Sequence, residues 1–216
     1  MKTDVQVQQD VIAELNWEPA VNATLIGVTV SDGVVTLSGH VDSFAAKWNA
    51  ERAAQRVCGV KALAVEVTVT LPGSSKRIDA DIARTAENVL QWTTAARDAV
   101  KVLVENGWIT LTGELDWDYQ REEAARAVRH LMGVVGVSDQ ITIRNQASST
   151  VVKSDIEAAL RRRAHADGQQ ISVQVHGGDV TLSGPVHSWS ERRLAKDTAW
   201  SAPGVMSVID NMSIAY

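Results

Sequence analysis

Five histidines, His40, His130, His165, His176 and His187, are the side chains best suited to proton transfer or metal binding near neutral pH. No two lie within four residues of each other, so the paired histidines of a zinc-binding helix are not encoded. His40 with Asp42, at the end of a strand, could form part of an acid/base pair. The matching positions of a later repeat hold Pro185 and His187, however, so a solvated strand end is the expected role. No Gly-x-Ser-x-Gly, P-loop or Gly-x-Gly-x-x-Gly sequence occurs. Cys58 is the single cysteine; it excludes an internal disulfide and a cysteine-rich metal site, and it is expected to be a small buried apolar residue. The expectation is therefore a non-enzymatic protein, with no catalytic residue, cofactor or metal.

Two other sets of residues can bind rather than react. One is basic: Arg161, Arg162 and Arg163, then Arg192, Arg193 and Lys196. The other is aromatic, with seven Trp against one Phe and two Tyr. The net charge of -5 argues against nucleic acid as the partner, because phosphate backbones are bound through clustered Lys and Arg. With 45% apolar and 22% charged residues the composition is that of an ordinary folded chain, not a disordered or collagen-like one.

The elements that position these residues come from an internal repeat. Residues 33–69, 107–143 and 178–214 align without a gap. They open GVVTLSG, GWITLTG and GDVTLSG, and twenty residues after each last glycine stands another: Gly59, Gly133 and Gly204. Each of these is followed by Val. Ahead of each block lies a helical period, Val7, Val11, Leu15, then Ile82, Ala86, Leu90, then Ile156, Leu160, Ala164. A strand follows, alternating through Val28 and Val30, Val102 and Val104, or Ile171, Val173 and Val175. Asp32-Gly33, Asn106-Gly107 and Gly177-Gly178 suit a two-residue type I′ hairpin turn. The second strand points Val35 and Leu37, Ile109 and Leu111, or Val180 and Leu182 inward, and Thr36, Ser38 and their counterparts outward, ahead of Gly39, Gly113 or Gly184.

A second helix, carrying Ala50, Ala124 or Ala195 toward the core, runs to the Gly59, Gly133 or Gly204 position, as a C-terminal cap glycine would require. A last alternating run, such as Val65, Val67 and Val69, is the third strand. The fold class predicted is α+β: three tandem small α-β-β-α-β domains, each a three-stranded mixed sheet with two helices on one face. The expected boundaries are 1–71, 76–146 and 150–216, separated by Leu71 to Ser75 and Asn145 to Thr150. Domains this small are marginal alone, so packing between copies or between chains is expected.

The copies also act as controls on the tryptophans. Trp48 shares a slot with Glu122 and Arg193, Trp200 with Gln55 and Arg129, Trp117 with Ser43 and Ser188, Trp189 with Phe44 and Asp118, and Trp108 with Val34 and Asp179. A slot that accepts charge or a small polar group in a sister copy is not a core slot, so these five should reach the surface of their own domain. Phe44, Trp48, Trp117, Trp189 and Trp200 are candidate apolar anchors. Trp17 and Trp92, each two residues after a first-helix Leu, are expected to pack at the helix end. Arg161, Arg162, Arg163, Arg192, Arg193 and Lys196 would form one basic patch if both helices cover the same sheet face, although Asp155, Glu157, Glu191 and Asp197 offset them.

Each copy resembles a BON domain, the bacterial osmotic-stress and nodulation family, in its hairpin glycine, its Val-Thr-Leu-Ser-Gly strand, its Gly-Val pair and its closing alternating strand. The resemblance implies a non-enzymatic module tied to osmotic or envelope stress that contacts phospholipid membranes. The competing expectation is a self-associating scaffold whose exposed Trp pack between domains or subunits as a homo-oligomer. Met1 to Glu14 lacks a basic stretch followed by an apolar run, so the expected location is the cytoplasm, or the periplasm for a processed form.

Overall fold

The computed structural model describes residues 2–93, 99–144, 153–163, 171–202 and 205–214. Gly204, Ala164, His165, the 145–150 linker and the side chain of Arg163 lie outside the described residues.

The first copy runs α1 (Asp4–Trp17), β1 (Ile26–Ser31), β2 (Val34–Val41), α2 (Phe44–Arg56) and β3 (Ala62–Val69). The second runs α3 (Asp79–Thr93), β4 (Val100–Glu105), β5 (Trp108–Leu115), α4 (Asp118–Arg129) and β6 (Gly136–Ile143). The third runs α5 (Lys153–Arg163), β7 (Ser172–His176), β8 (Asp179–Val186), α6 (Trp189–Trp200) and β9 (Ser207–Ile214). These are the three tandem α-β-β-α-β units expected from the repeat, each with its own three-stranded mixed sheet. In each sheet the hairpin strands pair antiparallel and the last strand lies parallel to the central one, as in Val35↔Leu63 and Leu37↔Val65. The parallel pairing requires a crossover, which the second helix supplies.

Alternation along the central strand explains the core. Val35 and Leu37, Ile109 and Leu111, and Val180 and Leu182 are all completely buried. They meet the stripe of the first helix, Val7, Val11 and Leu15 in the first copy, and small residues of the second, Ala46, Ala50, Ala53 and Ala54. Alanines on that face let the second helix lie close to the sheet. Each fully buried Val or Leu contributes about 1.5–3 kcal/mol, which gives each copy its own core cluster.

The hairpin turns have the backbone that the dipeptides predict, with φ of 52° at Asp32 and 79° at Gly33, and 51° at Asn106 and 77° at Gly107. Gly39 and Gly113, at φ of 117° and 140°, sit where a Cβ would strike the carbonyl oxygen of Leu25 or Ala99 across the strand pair. That contact explains the glycine that follows Val-Thr-Leu-Ser inside β2 and Ile-Thr-Leu-Thr inside β5. A further device locks the first helix onto the hairpin. The Asp4 carboxylate accepts the N–H groups of Asp32 at 2.7 Å and Gly33 at 2.9 Å. Asp79 does the same for Asn106 at 2.7 Å and Gly107 at 2.8 Å. Counting from the helix stripe, the third copy has Lys153 in this slot, a side chain that cannot accept a hydrogen bond.

Three sequence expectations are corrected. Trp17 and Trp92 are not packed; they are 83% and 86% exposed. Two residues past Leu15 or Leu90 is about 200° around a helix, which turns each indole away from the stripe that Leu completes. Cys58 is exposed rather than buried. It stands in the turn after α2, where Val57 and Val60 take the inward positions. Gly59 and Gly133 have positive φ, but they lie in the turn beyond the helix caps Val57 and His130 and are not the cap residues themselves.

Candidate functional site

Each second helix begins directly after a strand, so its first residues stand at a corner of the domain. Ser43 and Ser188 cap α2 and α6, their hydroxyl oxygens accepting N–H of Ala46 at 3.2 Å and of Glu191 at 3.1 Å. In the second copy half-buried Trp117 holds the cap position, and the Gln120 side chain accepts the Trp117 N–H at 3.1 Å. The next slot holds Phe44, Asp118 and Trp189, and it reaches across domain boundaries. Phe44 packs against the core of the second copy. Trp189 packs against the core of the first and donates its indole N–H to the Val60 carbonyl at 3.1 Å.

One turn further along α2, the Trp48 ring has Arg52 of its own helix 4.4 Å and Arg129 of the second copy 3.8 Å from its centroid. Arg121 of the second copy lies 4.9 Å from the centroid of Trp200 in the third. The contacts therefore run from first copy to second, second to third and third to first, with aligned slots playing the same part. The three second helices face one another at a closed seam. An open crevice of about 750 Å³ lies there, walled by Phe44, Trp48 and Arg52 of α2, Arg126 and Arg129 of α4, and Arg193 of α6 among others.

At the junction of second and third copies the aromatic is replaced by Asp118, only 8% exposed and ion-paired with Arg121. Burial is the main cause that pushes its pKa up to about 6; Arg121 opposes the shift, while Glu122, Asp197 and Asp139 add to it. Glu122 is raised for the same reasons, burial first and then Asp197. A raised carboxyl pKa means the folded state holds the proton more tightly than the unfolded chain does. Its stabilising share is complete below the unfolded value of about 3.9 and is lost as pH rises through about 6. We expect Asp118→Asn to flatten the dependence of thermal unfolding on pH between about 4 and 7. An unchanged pH profile in calorimetry would remove Asp118 from this role.

The proposed basic patch is divided. Arg161 and Arg162 are exposed on α5, Arg161 beside Glu157 at 3.9 Å. On α6, Arg192 is tied to Asp210 at 2.8 Å, Arg193 lies 3.7 Å from Asp197, and Lys196 is half-buried. The two helices pack on each other, so they are neighbours, but Arg192 serves its own sheet and Arg193 faces the seam. The Arg192–Asp210 pair repeats as Arg121–Asp139 at 3.7 Å in the second copy. Sequence reasoning did not find these pairs, nor the Asp4 and Asp79 locks, because each joins elements far apart in the chain. Trp108, 48% exposed, lies over Gly136 of the adjoining strand and donates to the Ser138 hydroxyl at 2.9 Å.

A family model described as "BON domain" matches residues 3–70, 78–145 and 148–216. No curated protein sequence matches the chain. Among solved structures, the chain is similar to the C-terminal domain of CdsD, a structural protein of the type III secretion system of Chlamydia trachomatis, at 14% identity and a TM-score of 0.28, covering 100% of both chains. It is also similar to the PrgH periplasmic domain, at 13% identity and a TM-score of 0.23, covering 88% of this chain and 95% of that one.

Proposed function

The chain belongs to the BON domain family, in three tandem copies, and from that premise we propose a non-enzymatic binding and assembly module of the osmotic and envelope-stress kind that meets phospholipid surfaces. The observation that carries the lipid reading is the exposure of Trp17 and Trp92 at equivalent helix ends. An indole exposed to water has an apolar body and one N–H, the combination favoured at a membrane boundary. Phe44, Trp48, Trp189 and Trp200 are engaged between or within domains, so we assign the outward contact to Trp17 and Trp92, with Arg161 and Arg162 attracting headgroups. Among the described residues no helix is long and apolar enough to cross a membrane.

Flotation with vesicles of phosphatidylcholine, with and without phosphatidylglycerol, tests this. The full chain is expected to float at low salt and the Trp17→Ser, Trp92→Ser double variant to lose most of that binding. Absence of the wild-type chain from the vesicle fraction at low salt would sink the lipid reading. The aromatic seats at the seam favour a second reading, a scaffold in which the Trp residues serve assembly only. Light scattering and acrylamide quenching separate the two, since the scaffold requires oligomers and shielded indoles without lipid.

A further inference from the structure

The crevice at the seam brings together arginines that the repeat by itself keeps apart. Arg52 comes from α2 of the first copy, and Arg126 and Arg129 come from α4 of the second. Other arginines of the crevice have carboxylate partners, Arg121 with Asp118 and Asp139, and Arg193 with Asp197. Arg52, Arg126 and Arg129 form no ion pair among the described residues, and the Arg129 Nε is buried with no hydrogen-bond partner. Leaving such a donor buried and unsatisfied is unfavourable, by more for a charged group than a neutral one.

An aromatic face holds two of these cations. Trp48 takes Arg52 and Arg129 over its ring at 4.4 and 3.8 Å from the centroid. Stacking uses the flat side of a guanidinium and leaves its N–H edge available for a planar or tetrahedral anion. The Arg129 pKa is lowered, first by burial and then by Arg126, and Glu122 only partly offsets this. Glu122, Glu123, Asp139 and Asp197 also line the crevice, whereas its α2 wall of Phe44, Trp48, Asn49 and Arg52 carries no carboxylate. The aligned slots of the other junctions replace Arg129 by Gln55 or Trp200 and Trp48 by Glu122 or Arg193, so the arrangement exists at one junction only.

We infer that the crevice between α2 and α4 is a binding site for a phosphate group, held by Arg129, Arg126 and Arg52, with Trp48 as the platform of Arg129 and Arg52. Guanidinium forks match phosphate oxygens two at a time, which an ammonium cannot do. The volume of about 750 Å³ leaves room for the body of a phosphate ester against Phe44 and Tyr119. The site does not depend on Trp17 or Trp92, so it can stand if the lipid reading fails.

The test is calorimetric titration of the full chain with inorganic phosphate, with the Arg Nε–H resonances followed by NMR. Saturable binding that moves the Arg129 resonance is expected, weakened about tenfold or more in Arg129→Gln and Arg52→Gln. Arg84→Gln, exposed on α3 and outside the crevice lining, should bind as the wild type does. Circular dichroism checks that the variants fold, and two variants from different domains guard against one that does not. No saturable heat with the wild type, or equal affinity in both crevice variants, overturns the site. Vesicles containing phosphatidylglycerol then separate the sources: displacement of bound phosphate identifies lipid headgroups, and no displacement identifies a soluble phosphate ester.

Discussion

Replacing Trp189 by alanine is expected to release the third copy from the first and to lower stability by about 2–4 kcal/mol. The indole is half-buried against the core of the first copy and donates a 3.1 Å hydrogen bond to the Val60 carbonyl, so truncation removes apolar contact and leaves an acceptor unpaired. Full Trp-to-Ala losses in a core reach about 3–5 kcal/mol, and partial exposure here sets the lower range. Because the domains share one chain, the seam closes at a high effective concentration. A loss of about 3 kcal/mol still shifts the closed-to-open ratio by roughly a hundredfold. Small-angle scattering should show a larger radius, and urea unfolding followed by circular dichroism should split into separate steps. An unchanged radius with one unshifted transition would mean that Trp189 does not hold the seam.

The second large effect is expected at the hairpin lock. Asp79→Ala should destabilise the second copy by about 2–3 kcal/mol, and Asp4→Ala the first by a similar amount. Each carboxylate accepts two turn N–H groups within 2.9 Å, and hydrogen bonds to a charged group are worth about 1.5–3 kcal/mol. Solvent access at the turn keeps the sum below twice that range. Each aspartate also opens a helix, where negative charge is favourable. The reverse change, Lys153→Asp, should stabilise the third copy by about 1 kcal/mol. Hydrogen exchange at Asn106 and Gly107 reports the lock directly. If those amides exchange at the same rate in Asp79→Ala as in the wild type, the lock is not formed in solution.

How much was legible follows from the range over which each feature is encoded. The hairpins were readable because Asp-Gly and Asn-Gly need positive φ within two residues. The core strands were readable because alternation in Val35, Leu37 and their counterparts has the same meaning in every copy. Trp17 and Trp92 were misread because closeness in sequence to Leu15 and Leu90 was taken as closeness in space, whereas helical rotation puts them on the far side. The aspartate locks were missed for another reason. The first helices of copies one and two align one residue out of step with the rest of the repeat, so Asp4 and Asp79 do not fall in one column of the gapless block.

The sequence by itself determined three α-β-β-α-β units, where their turns fall and which residues form each core. Those properties depend on backbone sterics and on periods of 2 and 3.6 residues, which act within one element and recur in each copy. The tertiary structure alone decided where the aromatics go. Slot comparison set Trp48, Trp189 and Trp200 apart from the core residues, and all three are half-buried, but it could not say what they would meet. Trp189 meets a carbonyl 129 residues away, and Trp48 meets an arginine of another domain. No local pattern carries such pairings, because they arise only when complete domains dock and their corner residues compete for one shared space.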